Sequence, residues 1–245
     1  MNAILRTATL ILSFLGASSM ANAVVKCPTA GSPSKEFALC ATAVCWTLDG
    51  VSYCKCDIKK DQESISIPFT FTESRTLKNV CDLLTQGTTN GFTISTYATP
   101  PQALEGYNQA VERQGSPKAL YTCNKYGYKN KPAYSAQCDG GVCFKSTTNS
   151  DFPGLGHIGP DEIVCSCPPS ANKKPFQIAG PWNCRPGEAN TNNQCCDKDF
   201  YNAYCGVRSI KKTGTAMAVG SPVGSAVALS TLLDGVPPKV NACRF

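Results

Sequence analysis

Sixteen cysteines, an even number, all of them beyond residue 26, set the terms on which this chain can fold. Cys27, Cys40, Cys45, Cys54, Cys56 and Cys81 form one set. Cys123, Cys138, Cys143, Cys165, Cys167 and Cys184 form a second with the same order of gaps, C-x4-C followed by C-x-C. The flanks agree: Val44-Cys45-Trp46 matches Val142-Cys143-Phe144, and Ala38-Leu39-Cys40 matches Ala136-Gln137-Cys138. A repeat of this kind predicts a duplicated module. Cys195, Cys196, Cys205 and Cys243 remain, so each of the three groups is even and is able to close its own bridges.

Whether these thiols are oxidised depends on the compartment. Arg6, the apolar run Ala8–Leu15 and Ala21-Asn22-Ala23 match the order of a secretory signal and predict cleavage after Ala23. Cys27 lies behind Lys26, several residues past that site, which argues against a lipid-modified cysteine. A secreted or periplasmic location is expected, and with it a disulfide framework involving all sixteen cysteines. Six cysteines allow 15 pairings. A C-x-C pair on a strand puts both sulfurs on one face, where bridging to each other is strained, so each is expected to reach a different partner.

The expected fold is small, disulfide-rich, mainly β and irregular: two repeated six-cysteine modules, a short inter-module helix and a C-terminal helix. The divisions are residues 1–23 (signal peptide), 24–100 (first module), 101–119 (helical linker), 120–190 (second module) and 191–245 (C-terminal cysteine-containing segment with an apolar helix). Ile65–Thr72 alternates as a half-buried strand, with Pro68 demoting it to an edge. Phe92–Tyr97, entered by Asn90-Gly91, is a second strand candidate. Leu104, Tyr107 and Val111 fall at helical spacing ahead of Gly115-Ser-Pro117. Thr213–Leu233 carries no charge, and Ser221-Pro222 and Asp234-Gly235 supply start and stop signals for a helix. Its glycines and Pro222 suit a buried or docking helix better than a membrane span.

The C-x4-C…C-x-C…C order, with Cys138-Asp-Gly-Gly-Val-Cys143 at the turn, resembles an EGF-like module. The resemblance implies pairing of first with third, second with fourth and fifth with sixth cysteine. The sequence departs from that pattern in its long final gaps and in lacking Gly-aromatic-Gly before the sixth cysteine.

Chemistry is sparse. The net charge of +6 is scattered as pairs (Lys59-Lys60, Lys173-Lys174, Lys211-Lys212), which is no nucleic-acid signature. The one histidine, His157, lies in a gap of 21 residues where the first set has eight. Inserted loops often carry function, and His157 with Asp161 or Glu162 would be the acid–base candidate for a secreted hydrolase. No G-x-S-x-G elbow accompanies it. A single histidine leaves metal binding to thiolates, which the disulfide reading consumes, so no metal or cofactor is expected. The binding candidate is the stretch Tyr121, Lys125, Tyr126, Tyr128, Lys129, Lys131 and Tyr134, whose aromatic faces and cations suit a protein or glycan surface. The functional expectation is a non-catalytic binding or structural protein of the envelope or extracellular space, with a hydrolase or a toxin or inhibitor as alternatives.

Overall fold

A computed structural model describes residues 25–27, 36–60, 64–66, 93–95, 97–98, 118–124, 132–138, 141–145, 151–185, 188–225 and 240–245. In chain order the strands begin with β1 (Val25–Cys27), β2 (Phe37–Leu39), β3 (Val44–Leu48), β4 (Val51–Lys59), β5 (Ser64–Ser66), β6 (Thr93–Ile94) and β7 (Tyr97–Ala98). They continue with β8 (Lys118–Cys123), β9 (Ala133–Ala136), β10 (Val142–Phe144), β11 (Asp151–Phe152), β12 (Gly156–His157), β13 (Glu162–Cys167) and β14 (Pro169–Asn172). The last are β15 (Phe176–Pro181), β16 (Ala216–Ala218), β17 (Gly220–Pro222) and β18 (Ala242–Arg244), and the α-helix α1 (Lys198–Cys205) precedes β16.

The cysteine pattern becomes a sheet through strict alternation. Along β4, Ser52, Cys54, Cys56 and Ile58 point inward while Tyr53, Lys55 and Asp57 point outward. Asp49 and Gly50 both take positive φ (48° and 81°), the geometry of a two-residue hairpin turn that Asp-Gly favours. This turn sets β3 against β4 with Cys45 directly opposite Cys54. In the second set Cys143 lies directly opposite Cys165 across β10 and β13. Strands β4 and β13 then pair antiparallel about Cys54↔Cys165, with Cys56↔Ile163 and Ser52↔Cys167 as mutually equivalent pairs. The two halves are thereby related by a local two-fold axis through one continuous sheet, ordered β16-β3-β4-β13-β10-β6, with β2 also on β4.

The bridges repeat this symmetry. Cys45–Cys54 and Cys143–Cys165 both have Cα–Cα distances of 4.0 Å, and Cys40–Cys56 and Cys138–Cys167 both have 4.6 Å. Each C-x-C pair does send its two sulfurs to different partners. The pairing is nested, second with fifth and third with fourth, and so contradicts the EGF-like order. The repeat holds for these inner four cysteines of each set. Cys123 instead bridges to Cys205 and Cys184 to Cys195, and Cys196 to Cys243. The second set therefore does not close on itself, because β8 and the residues after β15 are packed against α1 and the C-terminal segment. Cys81 lies outside the described residues, and no described cysteine is free.

Two cores result. The inward sulfurs of the symmetric sheet pack with Ala38, Ile58, Ile163, Val207 and Met217. The sheet β17-β15-β8-β18 and α1 enclose the other, built on Tyr121, Phe176, Ile178, Trp182 and Cys195. Asp197 caps α1, its Oδ1 accepting from the Phe200 amide at 2.8 Å.

Several local expectations change. Gly220–Pro222 is an edge strand on β15 rather than a helix start; at an edge Pro222 needs no amide of its own. Residues 226–239, where that helix is expected to run, lie outside the described residues, as do 1–23 and 101–117. Lys118 and Ala119, expected at the end of the linker helix, open β8. The described part of the Ile65–Thr72 strand, in β5, is central between β1 and β7 instead of an edge. Within Phe92–Tyr97, Thr93–Ile94 and Tyr97 are in strands. Among the described residues no helix is long and apolar enough to cross a membrane.

Candidate binding face

Because the cysteines take the inner positions of the symmetric sheet, their neighbours in sequence line its outer face. Trp46 on β3 sits across from Ala216 on one side and Tyr53 on the other, and Tyr53 across from Ser166. A second row joins Lys55, Val164 and Phe144. Phe144 is the most open, 61% exposed, with Val142 beside it at 38%. Trp46 and Phe144 come directly after Cys45 and Cys143 and so occupy equivalent places in the two halves.

The longer gap of the second set folds as a small hairpin, β11–β12, pairing Asp151 with His157 and Phe152 with Gly156. It lies over the first half. The Phe152 ring meets Trp46 edge-on at 6.4 Å and Tyr53 at 5.4 Å. Lys55 Nζ donates to the His157 carbonyl at 3.2 Å and stands 3.3 Å from Glu162 Oε1. At Gly154 a Cβ would fall onto Trp46 Cδ1, and the residue's φ of +74° suits glycine. A Cβ at Gly214 would likewise come within 3.3 Å of the indole Nε1. Trp46 is thus partly buried with two glycine turns close to its indole, while Phe144 is 61% exposed.

The described residues among those expected to form sites lie in several different surroundings. His157 Nδ1 is 3.4 Å from Asp151 Oδ1, on side chains 56% and 78% exposed. Ion pairs this open contribute little. Glu162 is engaged elsewhere, accepting from the Gly159 amide at 2.8 Å and pairing with Lys55. Asp161 is exposed, and its backbone carbonyl accepts from the Ile58 amide at 2.8 Å. Tyr121 is fully buried in the second core, its hydroxyl donating to the Pro181 carbonyl and accepting from the Asp197 amide. Tyr134 is partly buried against the first core. Lys125, Tyr126, Tyr128, Lys129 and Lys131 lie outside the described residues.

Among the described residues, the sulfurs that approach one another closely enough to ligate a metal belong to Cys40, Cys56 and Cys138, and to Cys54, Cys138 and Cys167. All are tied in disulfides, so no thiolate is available there. A concavity of about 420 Å³, lined by Asn124, Tyr201, Asn202, Cys205, Arg208 and Phe245 among others, lies against α1.

Trp46, Tyr53, Lys55, Phe152 and Phe144 form a candidate face that the sequence alone does not single out. The signal is present in the matched Cys45-Trp46 and Cys143-Phe144 pairs, since alternation requires the residue after an inward cysteine to point outward. No family model, no curated protein and no solved structure matches this chain, so what the face binds has to be inferred from its own side chains.

Proposed function

We propose that the chain is an exported, non-catalytic binding protein of the cell envelope or extracellular space, which engages a protein or glycan surface through the outer face of the symmetric sheet. The observation that carries this reading is the contrast between the two faces. Below, two cross-strand bridges and two more near the strand ends staple the sheet. Above, Phe144, Trp46, Tyr53 and Phe152 present aromatic surface beside Lys55 and Glu162. Rigid aromatic groups lose little conformational entropy on binding, and such residues dominate contact energies. Oxidised cysteines suit a compartment outside the cytoplasm, and the leader-like segment 1–23 supports export. The hydrolase alternative draws less support, because His157 and Asp151 form an open surface pair and Glu162 is held by Lys55 and the Gly159 amide.

The test is a glycan array together with capture from envelope extract, using the mature protein, Phe144→Ala and Trp46→Ala. Phe144→Ala should keep the thermal stability of the parent and weaken the captured partner by roughly tenfold or more, as a central aromatic contact does. A partner held equally by parent and both variants would move the binding surface away from this face.

A further inference from the structure

We propose that Cys138 is a thiol–disulfide exchange hub, a sulfur through which three bridges of the symmetric sheet are able to trade partners. The fold brings these sulfurs together at the local two-fold axis. Sγ atoms of Cys40, Cys56 and Cys138 all lie within 4.8 Å of one another, and so do those of Cys54, Cys138 and Cys167. Cys138 is common to both groups. It therefore touches its own bridge to Cys167, the Cys40–Cys56 bridge, and Cys54 of the Cys45–Cys54 bridge. Cys143 and Cys165 belong to neither group.

The backbone holds Cys138 in this position independently of its bridge. Its carbonyl accepts from the Ser95 hydroxyl and, at 3.0 Å, from the Gly141 amide. Gly141 itself has no room for a side chain, since a Cβ would fall 2.7 Å from the Ser166 carbonyl oxygen. Breaking Cys138–Cys167 thus leaves the Cys138 sulfur among the others rather than releasing it.

The exchange is balanced without an external oxidant. A Cys138 thiolate attacks Sγ of Cys56; the Cys138–Cys56 bond forms, the Cys40–Cys56 bond breaks, and the electron pair leaves on Cys40 as a thiolate. Attack on Cys40 expels Cys56, and attack on Cys54 expels Cys45. During folding, before the sheet closes over these sulfurs, a small thiol such as glutathione generates the first thiolate by taking Cys167 into a mixed disulfide. Nested pairing makes this consequential. Cys40 and Cys45 are translated before Cys54 and Cys56, so pairing in order of synthesis gives wrong bridges that must be exchanged.

The experiment compares the full-length variants Cys167→Ser and Cys143→Ser, each alkylated without reduction and mapped by mass spectrometry of an unreduced digest. In Cys167→Ser the alkylated residue should be mainly Cys40, Cys56 or Cys45, with Cys138 in a new bridge. In Cys143→Ser it should be Cys165, with the remaining bridges native. Alkylated Cys138 with the Cys40–Cys56 and Cys45–Cys54 bridges intact would overturn the proposal. Should Cys167→Ser fail to accumulate, reduced wild-type protein is reoxidised in glutathione buffer, acid-quenched early and mapped. Bridges from Cys138 to Cys40, Cys54 or Cys56 should exceed those from Cys143 to the same three several-fold; equal amounts overturn it, because chain separation alone favours neither. Neither arm depends on the protein having a binding partner.

Discussion

Tyr121 joins three parts of the second core through one oxygen. Its hydroxyl donates to the Pro181 carbonyl at 2.7 Å and accepts from the Asp197 amide at 2.6 Å, and Asp197 caps α1. Its ring packs on Phe200, centroids 5.1 Å apart. Tyr121→Phe keeps the ring and removes the oxygen, leaving a carbonyl and an amide short of a partner at a cost of about 1–3 kcal/mol, measurable as a lower urea midpoint at unchanged slope. Burial pushes the Tyr121 phenol above its ordinary 10.0, with the Asp197 charge adding to the rise and the Asp197 amide opposing it. The phenol in the unfolded chain ionises near 10 while the folded one stays neutral, so stability from this group is intact below pH 10 and is lost as pH rises beyond it. Tyr204, raised by burial as well, acts in the same direction. An alkaline urea series should therefore fall less steeply for Tyr121→Phe than for the parent; parallel loss in the two proteins would remove Tyr121 from the effect. In the sequence Tyr121 reads as part of a binding stretch because tyrosine serves surfaces and cores alike. What separates the two is the run Ala119, Tyr121, Cys123, all wholly buried at alternate positions of β8.

At the scale of elements, the inserted hairpin meets the sheet at Trp46, Tyr53 and Lys55, and Gly154 lies against the Trp46 ring. Gly154→Ala places a methyl group where the Trp46 ring stands, so the hairpin or the indole has to move. Gly156→Ala is the control: its φ of +69° is equally unfavourable to alanine, but a Cβ there meets nothing within 4 Å. The chain has two tryptophans, and Trp182 is 6% exposed. A red shift of tryptophan emission in Gly154→Ala and not in Gly156→Ala is the expected outcome, at unchanged far-ultraviolet circular dichroism. Equal spectra would mean that the hairpin does not cover Trp46. The strands of the sheet are legible where a local rule governs them. C-x-C forces two sulfurs to one side, and Asp49-Gly50, a dipeptide that favours tight hairpins, closes β3 onto β4. Ser221-Pro222 reads as a helix start, since the strand partner of Gly220–Pro222, Phe176–Ile178, is distant in sequence and contributes no local signal. The insertion in the second set is visible as a length, but nothing in its residues shows that it lies over Trp46 of the first.

Across the whole molecule the cysteines do two different jobs, and this division sets where stability resides. The inner four of each half bridge residues within or close beside paired strands, over separations of 9 to 29 residues. Cys123–Cys205 spans 82 residues and ties β8 to α1, two elements of one core that are far apart in the chain. That pairing is hidden from a reading of spacings because it depends on β8 meeting β15 and α1 in space, which no local pattern encodes. In the chain-entropy account a bridge stabilises by restricting the unfolded chain, more for longer loops: about 2.5 kcal/mol for the Cys45–Cys54 loop and about 4.5 kcal/mol for Cys123–Cys205. The Cys138–Cys167 and Cys184–Cys195 bridges lie inside the longer loop and shorten its effective length, which narrows the difference without reversing it. Both sites are buried, so replacing each pair by two alanines creates comparable cavities, and the comparison isolates the loop term. The Cys123→Ala/Cys205→Ala protein should therefore melt below the Cys45→Ala/Cys54→Ala protein, by several degrees for each kcal/mol of difference. The reverse order would place the larger share of stability in the symmetric sheet, whose bridges would then be acting on the folded state rather than on the unfolded chain.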